Sequence, residues 1–219
     1  VIVGGVAGGA TAAARIRRLD EKAQIVVFER SGYISYANCG LPYYIGDVIT
    51  DAEELTLQSP ESFYSRFRVD MRVHHEVTEI HPEKKTVSVK NLKTGEEFEE
   101  SYDKLILSPG AKPTQPRFSG TELDKVFTLR TVEDTLRIKK YINQNHPKSV
   151  VLAGGGFIGL ELAENLRELG MDVTIVQNGK QLMNLFDHDM ASFIHNEMRK
   201  HGVKLALGHT VEGFEDRDG

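Results

Sequence analysis

One pattern occurs twice in this chain and limits its fold more than any other feature: a short apolar strand, a glycine-rich turn, a helix, and a second apolar strand. The first copy runs Val1-Ile2-Val3, then Gly4-Gly5-Val6-Ala7-Gly8-Gly9, an Ala-rich helical stretch from Gly8 to Leu19, and Gln24 to Glu29. The second runs Val150 to Ala153, then Gly154-Gly155-Gly156-Phe157-Ile158-Gly159, a helical stretch from Phe157 to Leu169, and Asp172 to Val176. Strands joined through a helix lie parallel, because the helix carries the chain back along the sheet. The expected fold class is therefore α/β, with two Rossmann-like βαβ domains of the three-layer, dinucleotide-binding type. Two related halves are expected, not an array of short repeats.

The remaining segments fit around these units. A short helix is expected near Cys39 and another from Pro60 to Phe67. From Glu76 to Tyr102 the pattern changes: Thr86-Val87-Ser88-Val89-Lys90 alternates, Lys93-Thr94-Gly95-Glu96 makes a turn, and a polar strand returns. That is an antiparallel β-meander. Lys104 to Leu107 reads as a buried strand ending at Ser108-Pro109-Gly110-Ala111. The stretch from Lys112 to Asp124, with Pro113, Pro116 and Gly120, reads as an interdomain crossing. It separates a first domain, residues 1–112, from a second, residues 113–219. Val132 to Asn145 and Asp189 to His201 are expected to be helical, and Val203 to Leu207 a strand. The chain opens three residues before its first turn and stops in the polar turn Glu215-Asp216-Arg217-Asp218-Gly219, so it is expected to be a truncated part of a longer protein.

The second turn fits G-x-G-x-x-G. Gly154 permits the tight turn, Gly156 lets a pyrophosphate approach the backbone, and Gly159 allows close helix–strand packing. Phe157 and Ile158 then open the helix whose N-terminus would face the phosphates. Gln177 stands where an acidic residue would bind the ribose hydroxyls. It can hydrogen-bond a ribose but lacks the charge that excludes a 2′-phosphate, and Lys180 is the nearest cation, so the reading leans to NADH over NADPH. In the first turn Val6 replaces the middle glycine, which leaves an ordinary ligand-free turn as the alternative. Glu29, at the end of the following strand, can accept both ribose hydroxyls and argues for a ligand.

Cys39 is the only cysteine, in Ser35-Tyr36-Ala37-Asn38-Cys39-Gly40-Leu41-Pro42-Tyr43. One cysteine forms no internal disulfide, which fits a reducing cytoplasm. A lone cysteine is ordinarily a buried, inert small hydrophobe. Here it follows the Glu29 strand by one loop and sits near a helix start, a setting that favours the nucleophilic thiolate. Two nucleotide sites and one thiol suggest an electron relay from a nicotinamide, through a flavin, to sulfur. The net charge of −5 gives no reason to expect nucleic acid. No apolar run is long enough to span a bilayer, and the strand-like Val1-Ile2-Val3 start is read as lacking a signal peptide. The eight histidines offer no metal spacing. His74-His75 is expected in a strand with side chains on opposite faces, and His188, His195 and His201 at the surface.

Several of these motifs together resemble the CoA-disulfide reductase family. They are Gly4 to Thr11, Arg17-Arg18-Leu19-Asp20, Ser35 to Tyr43, Tyr102 to Ala111 and the Gly154 turn, in that order over essentially the whole chain. Members are flavin-dependent pyridine nucleotide–disulfide oxidoreductases with a single active-site cysteine. The resemblance implies FAD on the first unit, contacted by Gly4, Val6, Ala7, Gly9, Glu29, Arg30, Asn38, Val77, Ser108 and Gly110, with Cys39 catalytic and beside the flavin. It implies NADH or NADPH on the second, where Glu161 matches a glutamate near the nicotinamide. Thr11, Arg15, Arg18, Ser35 and Asn38 match positions that contact CoA as thiol partner, and a family lysine appears here as Phe67. For Arg15, Arg17 and Arg18 the alternative is a solvated helix face. The implied substrate is a small-molecule disulfide or persulfide, CoA disulfide or CoA persulfide, and the implied assembly of the full-length protein is a homodimer. Related NADH oxidases and peroxidases place a histidine where this chain has Ala7, and a Ser-Cys step where it has Asn38-Cys39. That makes sulfenic acid chemistry at Cys39 the poorer fit, and an inactive nucleotide-binding module or redox sensor remains the reading from another class.

Overall fold

The computed structural model describes residues 1–114 and 118–217, so Pro116 of the expected crossing lies outside the described residues. Two compact units form, Val1–Ala37 with Glu53–Ala111, and Asn38–Ala52 with Lys112–Gly219. The sequence division kept all of residues 1–112 together, whereas compactness assigns Asn38–Ala52, with Cys39, to the second unit. The chain therefore crosses between units three times, and a sequence offers no mark for a crossing that returns.

In the first unit, β1 (Ile2–Val3) leads into α1 (Ala7–Leu19) and β2 (Val26–Glu29). After the excursion, the unit resumes with α3 (Pro60–Phe67), β3 (Asp70–Val73), β4 (His75–His81), β5 (Thr86–Asn91), β6 (Glu97–Ser101) and β7 (Ile106–Leu107). The parallel sheet has the order β3-β2-β1-β7, with Ile2 opposite both Val27 and Ile106. The strand order reverses at β1, and in such sheets ligands bind in the crevice beyond the strand ends at that point. Ala10 and Ala13 are buried against Ile2, Val27, Val69 and Met71. Their small side chains let α1 lie close to the sheet. The meander forms as an antiparallel sheet, β4-β5-β6.

Two expectations need correcting here. Asp70–Val73 is a parallel strand beside β2 that the sequence reading omitted, because alternating charge masks it. Arg72 neutralises that charge, with Asp70 at 2.8 Å and Glu100 at 3.0 Å. His74 is not in a strand with His75: it has φ +57° and turns the chain from one sheet into the other. Nor is Arg17 a solvated side chain. Its guanidinium donates to the carbonyls of Phe67, Glu21, Ala23 and Arg68, at 2.6–2.9 Å, and ties the end of α1 to the end of α3.

The second unit contains α2 (Leu41–Ile45), α4 (Val132–Asn145), β8 (Ser149–Ala153), α5 (Phe157–Glu168), β9 (Asp172–Gln177), α6 (His188–Lys200) and β10 (Lys204–Leu207). Its sheet is parallel, in the order β10-β9-β8. Ile45 of α2 is fully buried in the core with Ala163, Leu166, Val173, Ile175 and Leu182, which explains why Asn38–Ala52 belongs here. Buried Lys139 of α4 fixes the end of α2, donating to the Ile45 carbonyl at 2.8 Å and pairing with Asp47 at 2.7 Å. Among the described residues no helix is long and apolar enough to cross a membrane.

Candidate functional site

Two uncapped helix starts follow the glycine-rich turns. Ser59 and Thr131 cap α3 and α4, each in a reciprocal capping box. At α1 and α5 the N-cap residues are Val6 and Gly156, with no side-chain cap and no acid in the first turn. The first amides of both helices thus lack an internal acceptor, and a helix N-terminus with open amides attracts an anion. Both follow glycine-rich turns off a parallel strand.

The two turns share their construction. Gly4 and Gly154 take φ +95° and +117°, a region closed to ordinary side chains. A Cβ added at Gly9 would overlap the Gly4 carbonyl oxygen, and one at Gly159 would overlap that of Gly154. In the first unit the Gly5 amide donates to Glu29 Oε2 at 2.8 Å, and the Ser31 amide donates to Glu29 Oε1 at 2.8 Å. In the second, the Gly155 amide donates to Gln177 Oε1 at 2.9 Å. Glu29 and Gln177 therefore occupy equivalent places beside their turns. Gly156 is exposed, with open space where its Cβ would be. That cradle and the uncapped helix start fit a dinucleotide in the second unit. The carboxylate held beside an uncapped start fits one in the first.

The other sequence-derived residues fall around these turns. Gly4 lies against the Ser108 carbonyl and Gly8 against the Ser108 side chain, so Ser108 joins the first turn with Val6, exposed Ala7 and Gly9. The Ser35 amide donates to the Gly5 carbonyl at 3.0 Å. Thr11, Arg15 and Arg18 are exposed and share one face of α1 through helical spacing. Arg30 lies 3.8 Å from Glu76, the residue before Val77 in β4. Gly110 is exposed with φ +72°. Glu161 is half-buried, in α5 beyond its first turn.

Cys39 is an exposed, free thiol in the 3-10 turn Asn38–Gly40, directly ahead of α2. Its neighbour Asn38 accepts a 3.0 Å hydrogen bond at Oδ1 from Arg130 Nη1, which holds the turn to the lead-in of α4. Arg130 and Lys139 were both missed by sequence reasoning. No signal could have found them, since their partners lie over ninety positions away. Among the described residues no group of three or more His, Cys, Asp or Glu could hold a metal ion.

His195 corrects a further expectation, because it is buried and not at the surface. Its Nε2 accepts from the Leu182 amide at 3.0 Å, and the next residue, Met183, donates its amide to the Gly155 carbonyl at 2.8 Å. Burial, and then the charges of Arg199 and His188, hold its pKa below the usual histidine value. The unfolded chain therefore binds this proton at a higher pH than the folded one. Stability from His195 is complete above the unfolded value of about 6.5 and is lost as pH falls below it. Urea midpoints should fall between pH 7.5 and pH 5.5, with this group contributing at most about 1.4 kcal/mol per pH unit. A His195→Gln variant that keeps the whole slope would contradict the assignment.

With the geometry in place, the chain can be compared with known proteins. The family model for pyridine nucleotide-disulphide oxidoreductases matches residues 1–219. The chain belongs to this family. It is 43% identical to the coenzyme A disulfide reductase of Staphylococcus aureus strain MRSA252, over all of this chain and 49% of that protein. Among solved structures, reduced Bacillus anthracis CoADR-RHD is 50% identical with a TM-score of 0.95, covering 98% of this chain and 39% of the other. An NAD-dependent persulfide reductase from A. fulgidus is 33% identical with a TM-score of 0.94, covering 99% and 41%. The chain thus spans about half the length of the curated relatives it matches. It is homologous to both coenzyme A disulfide reductase and persulfide reductase, and its α/β fold matches the N-terminal part of the former.

Proposed function

We propose that this chain is the dinucleotide-binding part of a reductase that passes electrons from NAD(P)H, by way of FAD, to a mixed disulfide at Cys39, with CoA disulfide or CoA persulfide as substrate. The observation that carries the reading is the lone, exposed Cys39 in a chain with two uncapped glycine turns. When bound, FAD supplies the two-electron exchange between a nicotinamide and a disulfide. The first unit would hold it through the α1 amides, Glu29 and Ser108, and the second would hold the nicotinamide nucleotide through the α5 amides and Gln177.

Cys39 does the sulfur chemistry. Its thiolate attacks one sulfur of CoA disulfide, forming a Cys39–CoA disulfide and expelling the other CoA as thiolate. Two electrons from NAD(P)H and one proton then return Cys39 to the thiolate and release the second CoA as thiol. These 219 residues hold no second cysteine to resolve the mixed disulfide, which supports the small thiol as the partner throughout. The exposed face bearing Thr11, Arg15 and Arg18 offers two guanidinium groups to the phosphates of CoA.

The test is the intact mass of the full-length protein purified without reductant, with peptide mapping of Cys39. One CoA on Cys39, present as isolated or formed on adding CoA disulfide, supports the reading. Oxygen additions alone would replace it with sulfenic acid chemistry. A thiol that stays bare under CoA disulfide would overturn it.

A further inference from the structure

Each unit grips the second glycine of its turn in the same way. A fully buried aliphatic side chain lies against that glycine, Ile34 against Gly5 and Leu182 against Gly155. The residue after it takes a positive φ, +45° at Ser35 and +50° at Met183, a region that side chains other than glycine seldom occupy. In that conformation its amide meets the glycine carbonyl: Ser35 donates to Gly5 at 3.0 Å and Met183 to Gly155 at 2.8 Å. Since the Gly155 amide is bonded to Gln177 Oε1, both backbone groups of Gly155 are engaged. The placement of the second turn therefore depends on Leu182-Met183.

In the second unit this grip ends on an ionisable ring. The Leu182 amide is buried and donates to His195 Nε2 at 3.0 Å. An amide is a donor only, so Nε2 must be unprotonated, and the neutral ring carries its proton on Nδ1. A second proton would set N–H against N–H in a buried place, where an unpaired donor is costly. Burial already disfavours the charged ring, as do Arg199 and His188 on the same helix. Lys180 in the loop, Asp172 on β9, Glu164 on α5 and Lys204 on β10 are exposed. Two other histidines adjoin the loop, and both hydrogen-bond oxygens. His188 Nδ1 lies 3.2 Å from Gln181 Oε1, and His209 Nδ1 lies 2.8 Å from the Leu207 carbonyl. Those contacts survive protonation, and the one at His195 does not.

We propose that His195 is a positioning residue for the nucleotide turn of the second unit: its neutral ring holds Leu182-Met183 against Gly155, and nucleotide affinity falls as the ring is protonated. This rests on the reading of that unit as the nicotinamide site. The direction distinguishes the grip from simple charge. A cation added near an anionic nucleotide would tighten binding on acidification, whereas loss of the grip loosens it. By linkage, bound nucleotide disfavours protonation of His195 by the same factor.

The experiment is calorimetric titration of the full-length, flavin-loaded protein with NAD⁺ at pH 7.5 and pH 5.0, with flavin absorbance checking that it stays folded. NAD⁺ is chosen because NADP⁺ carries a phosphate monoester that titrates at about pH 6. The wild-type dissociation constant should rise about threefold or more, and no more than about tenfold per pH unit, the limit for one proton. His195→Gln supplies a neutral acceptor of similar reach. It should bind NAD⁺ within about twofold of wild type at pH 7.5 and lose most of the pH dependence. His195→Leu supplies no acceptor and should bind about fivefold more weakly at pH 7.5. Rescue by glutamine separates a lost grip from general damage. His188→Gln should keep the wild-type pH dependence. If NADP⁺ alone binds, its own titration is common to wild type and His195→Gln and cancels in their ratio. Unchanged or tighter binding by the wild type at pH 5.0, or an undiminished pH dependence in His195→Gln, would overturn the proposal. Binding of neither nucleotide at pH 7.5 would overturn the nicotinamide reading itself, a different failure.

Discussion

Replacing Cys39 with serine should lower the turnover of CoA disulfide by about a thousandfold or more, the scale seen when a covalent nucleophile is removed. A serine hydroxyl keeps the size of the thiol but is not ionised near neutral pH, so the attack on a disulfide sulfur is lost. Within these 219 residues there is no second cysteine to take over. The fold should not suffer. Cys39 is exposed, and such surface changes lie within about 0.5 kcal/mol. Full-length Cys39→Ser should therefore keep its melting temperature and its reduction of an artificial dye by NAD(P)H. Its mass should gain no CoA on treatment with CoA disulfide. Turnover within tenfold of wild type would mean that the disulfide is reduced elsewhere, and the assignment of Cys39 would fall.

The architecture was legible where each segment carries its own signal. The two glycine turns, the α3 and α4 helices and the alternating meander all follow from local pattern, and each is found close to its expected place. Legibility ended where a residue acts through a distant partner. Asp70–Val73 reads as polar until Arg72 is seen between Asp70 and Glu100, stacked over the ring of Phe28. Arg17 looks like part of a basic surface run, yet it caps carbonyls from two helix ends. Asn38–Ala52 carries no composition shift, and its membership of the second unit depends on Ile45, Lys139 and Arg130. The site shows the same division. Gln177 was singled out from sequence as the residue to stand at a ribose, but the hydrogen bond that orients its amide belongs to the folded turn.

The glycines of the turns should separate into those the fold needs and those a ligand needs. At Gly9 a methyl group would overlap the Gly4 carbonyl oxygen and stand 3.2 Å from Ile2 Cγ2. Neither can yield easily. Gly4 is held by its amide, which donates a hydrogen bond to the Phe28 carbonyl at 2.8 Å, and the next carbonyl, of Gly5, accepts from the Ser35 amide at 3.0 Å. Gly9→Ala should thus cost about 3 kcal/mol or more, the upper range for overpacking. In a unit of this size that corresponds to a fall of roughly 10–20 °C in melting temperature. Gly8→Ala is the control within the same helix. Its methyl would meet the Ser108 Oγ at 3.1 Å, which can rotate away, and Ser108 Cβ at 3.3 Å, while alanine favours the helix by about 1 kcal/mol. At Gly156, by contrast, nothing stands within 4 Å of an added Cβ. Gly156→Ala should leave stability within about 1 kcal/mol, the scale of an N-cap change from glycine. It should weaken dinucleotide binding instead, because the methyl fills the open side of the turn that a pyrophosphate would approach. Thermal melts and nucleotide titrations of the three variants decide the matter. If Gly156→Ala unfolds the protein, or Gly9→Ala leaves it intact, the division between packing and binding glycines is wrong.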